Sequence, residues 1–511
     1  MEHYDIGPGP DPFAHSVSAF ETLTATLSGR TAGEWTHAEL EEHLEAAGRD
    51  LIRQLLQDHL DLRAIREEQK TAGASAVQVV GPEGRTRPWR EKGHERRLAC
   101  LFGNVNVRRI ACRGPNMSNV HPADVLLSLP AGRHSMGLRR LAAVEAVRGS
   151  YDQALDAVGR RCGKVLGKRR PAELVIAAAC DIDAFYRDRV PVPCGRETLL
   201  VLQFDGKGIV MRPEALREAT RRKAEETAAQ GRRGRLAPGE KPNRKRMATV
   251  ACVFDTRPAP RRPHDIIHPP GGRTGERIPR PGPKAANKWC TASVIRPPRQ
   301  VVADAFGQAD ARDPSRLRTW IVLVDGARHQ LDLVHAEAAR RDIEINILID
   351  FVHVAEYVWT AAHAFHPAGS RDAESWAATH LTTVLAGQAA RAADEMLAQA
   401  DREQLPASRR AAVATCHRYL TGHLDQLHYD TALASGWPIA TGAIEGACRH
   451  LIGDRLDITG ARWGLDGAEA VLRLRTLTAN NDLNTYWTFH TAREHERLYT
   501  HPHQAGFGLT A

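Results

Sequence analysis

The 511-residue sequence lacks any stretch near the roughly 20 consecutive apolar residues that a membrane span needs. Its opening, Met1-Glu2-His3-Tyr4-Asp5, is acidic and lacks the apolar segment of a secretion signal, so a soluble, cytoplasmic protein is expected. Paired cysteines are also missing. The nine cysteines (Cys100, Cys112, Cys162, Cys180, Cys194, Cys252, Cys290, Cys416 and Cys448) form no Cys-x-x-Cys, and their odd number points away from both a zinc ribbon and a disulfide framework.

Acidic residues are outnumbered: 70 Lys and Arg stand against 61 Asp and Glu, a net charge of +9. A moderate excess of this kind suits a polyanionic partner without requiring one. Much of it crowds between Arg212 and Arg299, in Arg221-Arg222-Lys223, Arg232-Arg233-Gly234-Arg235, Arg244-Lys245-Arg246 and Arg261-Arg262. A solvated surface accounts for such a run as readily as a binding site. The length predicts two to four folding units at about 150 residues each.

Apolar residues recur at helical spacing from Thr36 to Glu68, which predicts one or two amphipathic helices. Leu98 to Ile110 alternates around Phe102-Gly103-Asn104 and reads as a hairpin. Three short helical segments with Gly breaks follow between Met136 and Tyr186, similar to a helix-turn-helix or an ordinary connector. Lys164, Lys168, Arg169 and Arg170 lie just ahead of the last segment, where they would meet phosphates.

The text then changes to strands. Thr198 to Phe204 is an apolar run closed by Asp205-Gly206, and Gly208 to Met211 reads as a second strand turning back from it. Met247 to Phe254 reads as a third, followed by a Pro- and Arg-rich loop to Pro283. Trp320 to Val324 is a fourth strand, closed by Asp325-Gly326, and Ile345 to Ile349 is a fifth, closed by Asp350. This order is the one in which an RNase H-like domain is laid down. The helix that closes such a domain is delayed by a helical stretch from His353 to about Ala434, broken at Pro367-Ala368-Gly369 and Pro406, and begins near Ala443-Ile444-Glu445.

The predicted fold is therefore α/β: an RNase H-like mixed sheet with a helical insertion before the last catalytic helix, preceded by a mainly helical DNA-binding region. Its parts are residues 1–95 (helical), 96–196 (hairpin and helix-turn-helix-like region), 197–352 (first part of the core, with the Arg-rich insertion at about 213–246), 353–437 (helical insertion), 438–480 (last core helix and C-terminal helices) and 481–511 (polar tail).

Asp205 and Asp325 each follow a buried strand, at the edge where α/β sheets collect their chemistry, and Glu445 approaches on a helix. Three carboxylates suffice for a pair of Mg²⁺ ions, because each ion takes one or two carboxylates and fills its other positions with water and phosphate. Two ions neutralise the attacking and leaving oxygens of an in-line phosphodiester displacement. Taken singly, each acid has a plainer reading: Asp-Gly is a common turn, and Glu445 near a helix start favours the helix dipole. Asp350 is the rival acid, with His353 and Glu356 on one helical face after it, although a second histidine at a standard zinc spacing is missing. Cys416, His417 and His423 read as ordinary helix residues.

The chain resembles bacterial insertion-sequence transposases of the ISKra group, within the wider DDE transposases. The resemblance runs from about Leu98 to Leu477 and rests on Phe204-Asp205-Gly206-Lys207-Gly208-Ile209-Val210-Met211-Arg212, Arg244-Lys245-Arg246-Met247-Ala248, Val322-Leu323-Val324-Asp325-Gly326-Ala327, Asp350 to Tyr357, Thr441 to Arg449 and Thr459-Gly460-Ala461-Arg462-Trp463. It implies an enzyme with Asp205, Asp325 and Glu445 as its acidic triad and two Mg²⁺ (or Mn²⁺) ions. Such an enzyme binds the terminal inverted repeats of its own element in double-stranded DNA, nicks them and joins the 3′-hydroxyls to target DNA. Holding two ends at once implies at least a homodimer, associated with the nucleoid.

Arg449 and Arg455 would brace phosphates, Arg462 and Trp463 would pair a guanidinium with a base-stacking ring, and Arg244, Lys245 and Arg246 would add backbone contacts. Two other readings stay open: a nuclease of the same fold without strand transfer, and a non-catalytic helix-turn-helix regulator.

Overall fold

The computed structural model describes residues 11–72, 79–191, 195–229, 243–268 and 279–500. The basic run Arg232-Arg233-Gly234-Arg235 and Cys194 lie outside the described residues. The chain divides into two compact units, Met1–Phe185 with Leu483–Ala511, and Tyr186–Asp482.

In the first unit, Thr36 and Glu39 exchange capping bonds at the start of a single 36-residue helix, His37–Ala72. The hairpin β1 (Trp89–Cys100) and β2 (Gly103–Arg113) packs on it around Leu60, Leu98, Cys100, Val105 and Val107. Gly103 turns the hairpin at φ +128°, a backbone that other residues rarely adopt. The three expected helices follow as Met136–Arg148, Tyr151–Cys162 and Arg170–Ala178, the first two capped by Ser135 and Ser150.

Within the expected polar tail, Leu483–Tyr499 forms a helix, with Tyr486, Trp487 and His490 buried. Tyr486 donates to the Ala178 carbonyl at 2.6 Å, and Arg139 pairs with Glu494 at 3.3 Å. Its apolar residues are few but aromatic, so one narrow face suffices to bury it.

The second unit is mixed α/β, built on five strands in the order β5-β4-β3-β6-β7. These are β3 (Leu199–Val210), β4 (Lys245–Thr256), β5 (Ala286–Ser293), β6 (Trp320–Val324) and β7 (Asn346–Ile349). β4 runs antiparallel to both β3 and β5, whereas β3, β6 and β7 are parallel. All five residues of β6 and the first six of β3 are buried, as expected of parallel strands covered on both faces. The helix Pro298–Arg312 packs on the sheet through Phe306, whose ring stacks with that of Phe204.

Two sequence expectations are corrected here. The segment Gly208 to Met211 does not turn back: β3 continues through Asp205 to Val210, and its partner is β4, paired from Val210↔Lys245 to Leu199↔Thr256. Gly206 and Gly208 suggested a turn, but they let the Met247 and Lys245 side chains lie across the strand. The third strand of the meander is β5, whose exposed Ala286, Asn287 and Lys288 hide its buried half from a reading of the sequence. Lys245 and Arg246 begin β4, with Arg244 just ahead of it, rather than lying within the Arg-rich insertion, whose described elements are the short turn Pro213–Ala215 and the helix Glu218–Ala229.

The helical stretch after β7 follows the expected breaks, as Phe351–Phe365, Arg371–Leu385, Ala389–Arg402, Ala407–Thr421 and Tyr429–Ala434. The chain then returns to the sheet as Gly442–Cys448, a π-helical turn Arg449–Gly453, and Leu465–Ala479. Among the described residues no helix is long and apolar enough to cross a membrane.

Candidate functional site

The strand register brings the sequence-distant aspartates to one edge. Gln203 pairs with Leu323 across β3 and β6, and two residues further along each strand stand Asp205 and Asp325. Val324 pairs with Ile349 across β6 and β7, and the next residue on each strand is Asp325 or Asp350. The Asp350 N–H still bonds the Val324 carbonyl at 2.8 Å, so the ladder holds up to this edge. Asp205, Asp325 and Asp350 thus form a row across three neighbouring strands, each step being about 4.8 Å.

The helix Gly442–Cys448 crosses this row. Gln203, buried on β3, accepts the Ile444 N–H at 2.9 Å and donates to the Ala440 carbonyl at 3.2 Å. At one end of the helix the Thr441 hydroxyl bonds the Asp350 carboxylate. At the other end the buried Cys448 thiol lies against Asp205: burial first, then the carboxylate's charge and hydrogen bond, push that thiol far up. Seven residues of helix cover about 10.5 Å, close to the roughly 9.6 Å of two strand steps. Glu445 lies between Thr441 and Cys448 on the same helical face, its Oε1 3.4 Å from the Thr441 hydroxyl.

Around Asp325 the turn is tightly made. Its carboxylate accepts the Ala327 N–H at 2.8 Å, its own N–H reaches Gln330 at 3.3 Å, and its carbonyl takes the Tyr419 hydroxyl at 3.1 Å. Gly326 sits at φ +87°, and a Cβ there would meet the Tyr419 oxygen at 3.0 Å and Ile349 at 3.1 Å, so only glycine fits. His423 holds the Gly326 carbonyl at 3.1 Å. Burial pushes the Tyr419 phenol up, with the negative charges of Asp325 and Asp350 adding to it. Sequence reading passed over Gln203 and Tyr419, took His423 for an ordinary helix residue and gave Thr441 no role of its own. They show no local pattern, since each acts on a partner far away in the chain.

Asp205 and Asp325 are half-buried and Glu445 is exposed. Among the described residues none of the three is ion-paired to Lys, Arg or His. At the opposite end of the strands, by contrast, buried Asp255 is neutralised by Arg318 at 2.7 Å and Arg312 at 3.2 Å. The acids at the other edge have no such partner among the described residues. Asp350 differs from the other acids: it is wholly buried, and its oxygens are occupied by the Val352 N–H, the Thr441 N–H and the Thr441 hydroxyl. The half-buried His353 faces Glu356 at 3.4 Å.

The basic residues separate into two sets. Lys164, Lys168, Arg169, Arg170, Arg244, Arg449 and Arg462 are exposed, Arg170 being paired with Glu173. Arg455 and Trp463 do not suit the DNA roles expected for them, since both are buried, with the Arg455 guanidinium stacked 4.6 Å over the Trp463 ring. The indole N–H is spent on the Leu456 carbonyl at 3.1 Å, and the Trp463 backbone bonds Val210 and Arg212 at the end of β3. The stacked pair is thus Arg455 with Trp463. Arg246 is likewise committed, to the Val294 and Ala215 carbonyls, and Lys245 pairs with Asp457 at 2.7 Å.

Among the described residues, one trio of potential ligands has its atoms all within 4.8 Å of one another, and it is Cys180, Asp181 and His490 in the first unit. Its charge is already balanced, because Asp181 accepts from His490 at 2.7 Å and from Arg497 at 2.6 Å, while burial and Asp181 push the Cys180 thiol up to about 11. The acids at the sheet edge are spread more widely than this trio. No protein-family model matches the chain, and no curated protein matches it in sequence.

Proposed function

We propose that the chain is a DNA transposase with an RNase H-like core, in which Asp205, Asp325 and Glu445 hold two Mg²⁺ ions for cutting and joining phosphodiesters. The observation that carries this reading is the meeting of two rows: aspartates on neighbouring strand ends, and the 441-445-448 face of a helix laid across them at matching spacing. The strand order, with a central β3, an antiparallel meander on one side and two parallel strands on the other, supports an RNase H-like assignment. So does the return of the chain to the sheet after a long helical excursion.

The donor set fits the ions. Three carboxylates without a basic partner are hard oxygen ligands of the kind Mg²⁺ takes. Their ligand atoms do not all lie within 4.8 Å of one another, so they form no single closed site. When bound, the ions supply charge neutralisation for the attacking and leaving oxygens. The protein's own part is to fix the acids before substrate arrives. Asp205 is set by β3, Asp325 by the Tyr419 and His423 clamp on its turn, and Glu445 by the Gln203 anchor on its helix. Exposed Arg449, about one turn beyond Glu445, would take a flanking phosphate from the open side.

The test uses labelled DNA carrying the terminal repeats that flank the chain's own coding segment, a target plasmid and Mg²⁺ or Mn²⁺. Joined products that vanish with Asp325→Asn support transposition. Cleavage without joining indicates a nuclease, and DNA binding indifferent to Mg²⁺ indicates a regulator.

A further inference from the structure

We propose that Asp350 and Thr441 form a positioning pair that sets the orientation of Glu445, an inference that rests on the metal-site reading above. Three observations converge on it. The first is the cost of Asp350. A fully buried carboxylate without a basic partner is unfavourable unless donors surround it, and here Val352 N–H, Thr441 N–H and the Thr441 hydroxyl do so. Capping the helix Phe351–Phe365 alone needs no such burial, since an exposed Ser or Asp caps as well.

The second observation is what Thr441 does not do. It stands at the N-cap of Gly442–Cys448, where a threonine hydroxyl ordinarily accepts the N–H of the second or third helical residue, yet it makes no such bond. The third residue's N–H, that of Ile444, goes to Gln203 instead. The hydroxyl is thereby released from capping and turned to Asp350.

The third observation is where the Thr441 oxygen then lies, 3.4 Å from Glu445 Oε1. The hydroxyl bonds Asp350 as its nearer acceptor and reaches Glu445 as its second, longer one. Fixed in this rotamer by Asp350, the hydroxyl tethers the Glu445 carboxylate at the start of its own helix and limits where it can turn. Asp350 thus acts on Glu445 through Thr441 and touches no ion itself.

The experiment measures Mn²⁺ binding to the full chain without DNA, by electron paramagnetic resonance, with thermal melting as a control for folding. Thr441→Val keeps the shape and removes the hydroxyl, and it should weaken Mn²⁺ binding about tenfold, the lower range for outer partners of ligating carboxylates. Thr441→Ser restores the hydroxyl and should bind within about twofold of wild type. Asp350→Asn should weaken binding similarly and add nothing to Thr441→Val, since the two act in series. Wild-type affinity in Thr441→Val, or a Thr441→Ser variant as weak as Thr441→Val, overturns the pairing while leaving the metal site standing. Wild-type binding unaltered by Asp325→Asn overturns the metal reading itself. If Asp350→Asn does not fold, the two Thr441 variants decide.

Discussion

Gln203 and Ile444, 241 residues apart, are joined by one hydrogen bond of 2.9 Å that ties the face of β3 to the helix carrying Glu445. The same amide donates to Ala440 at 3.2 Å, so a single buried side chain satisfies a backbone donor and a backbone acceptor. Gln203→Leu would leave both groups unpaired, at a cost of about 2–4 kcal/mol in stability. Chemical denaturation would read this directly, and an unchanged midpoint would show that the helix is held elsewhere.

Asp325→Asn should behave in the opposite way. It relieves repulsion among carboxylates that have no basic partner, so the metal-free protein should melt no lower than wild type. What it loses is the gain on adding Mg²⁺, which for a ligand at about 100 times its dissociation constant approaches 2.7 kcal/mol. Melting curves with and without Mg²⁺ test both halves; an equal Mg²⁺ shift in the variant counts against Asp325 as a ligand.

Trp463 and Arg449 should separate structure from binding. Trp463→Ala removes a buried ring stacked by Arg455 and should cost about 3–5 kcal/mol of stability. Arg449→Ala, at an exposed position, should leave melting unchanged while weakening DNA binding and lowering the slope of log affinity against log salt by about 1. An equal salt slope in Arg449→Ala would remove that residue from the phosphate contacts.

Cys180 is exposed, yet burial of its sulfur and the neighbouring Asp181 push its pKa up to about 11. Only the thiolate alkylates, so at pH 8 its reaction with iodoacetamide should run about 100-fold slower than that of an ordinary cysteine, rising about tenfold per pH unit toward pH 11. Peptide mass spectrometry follows the site by itself. Asp181→Asn should accelerate the reaction, and a fast wild-type rate at pH 8 would contradict the raised pKa.

Acid should act on the same cluster with a defined sign. Burial opposes the Asp181 charge, but hydrogen bonds from His490 and Arg497 prevail and lower its pKa. A lowered carboxylate pKa contributes stability above its unfolded value of about 3.9, and that contribution is lost as pH falls through the folded value. The pH dependence of stability below about pH 4 should therefore flatten in Asp181→Asn, as followed by urea denaturation across pH.

The parts of this fold that were legible in the sequence are those with dense local signals. The continuous apolar runs of β3 and β6 end near Asp205 and Asp325, and the helical stretch breaks at Pro367-Ala368-Gly369 and at Pro406, where the proline ring and glycine freedom end helices. β5 was hidden because its first three residues, Ala286, Asn287 and Lys288, are exposed, and the helix Leu483–Tyr499 because three aromatic and histidine positions carry its burial. The misreading of Trp463 has a different cause. An Arg-Trp pair in sequence suggests base stacking, whereas the ring's neighbour in space is Arg455.

By itself, the sequence determined the buried strands β3 and β6 and the breaks of the helical stretch after β7, because hydrophobic period, proline and glycine act within a few residues. It also set an aspartate just past the buried part of two strands. Tertiary structure decided the rest: that β3 and β6 align so that Asp205 and Asp325 fall level, that Asp350 is consumed by Thr441, and that Arg455 is buried rather than offered to DNA. The physical reason is that hydrogen bonding and burial depend on which group arrives opposite, and a partner some 90 or 240 residues away leaves no trace in local periodicity.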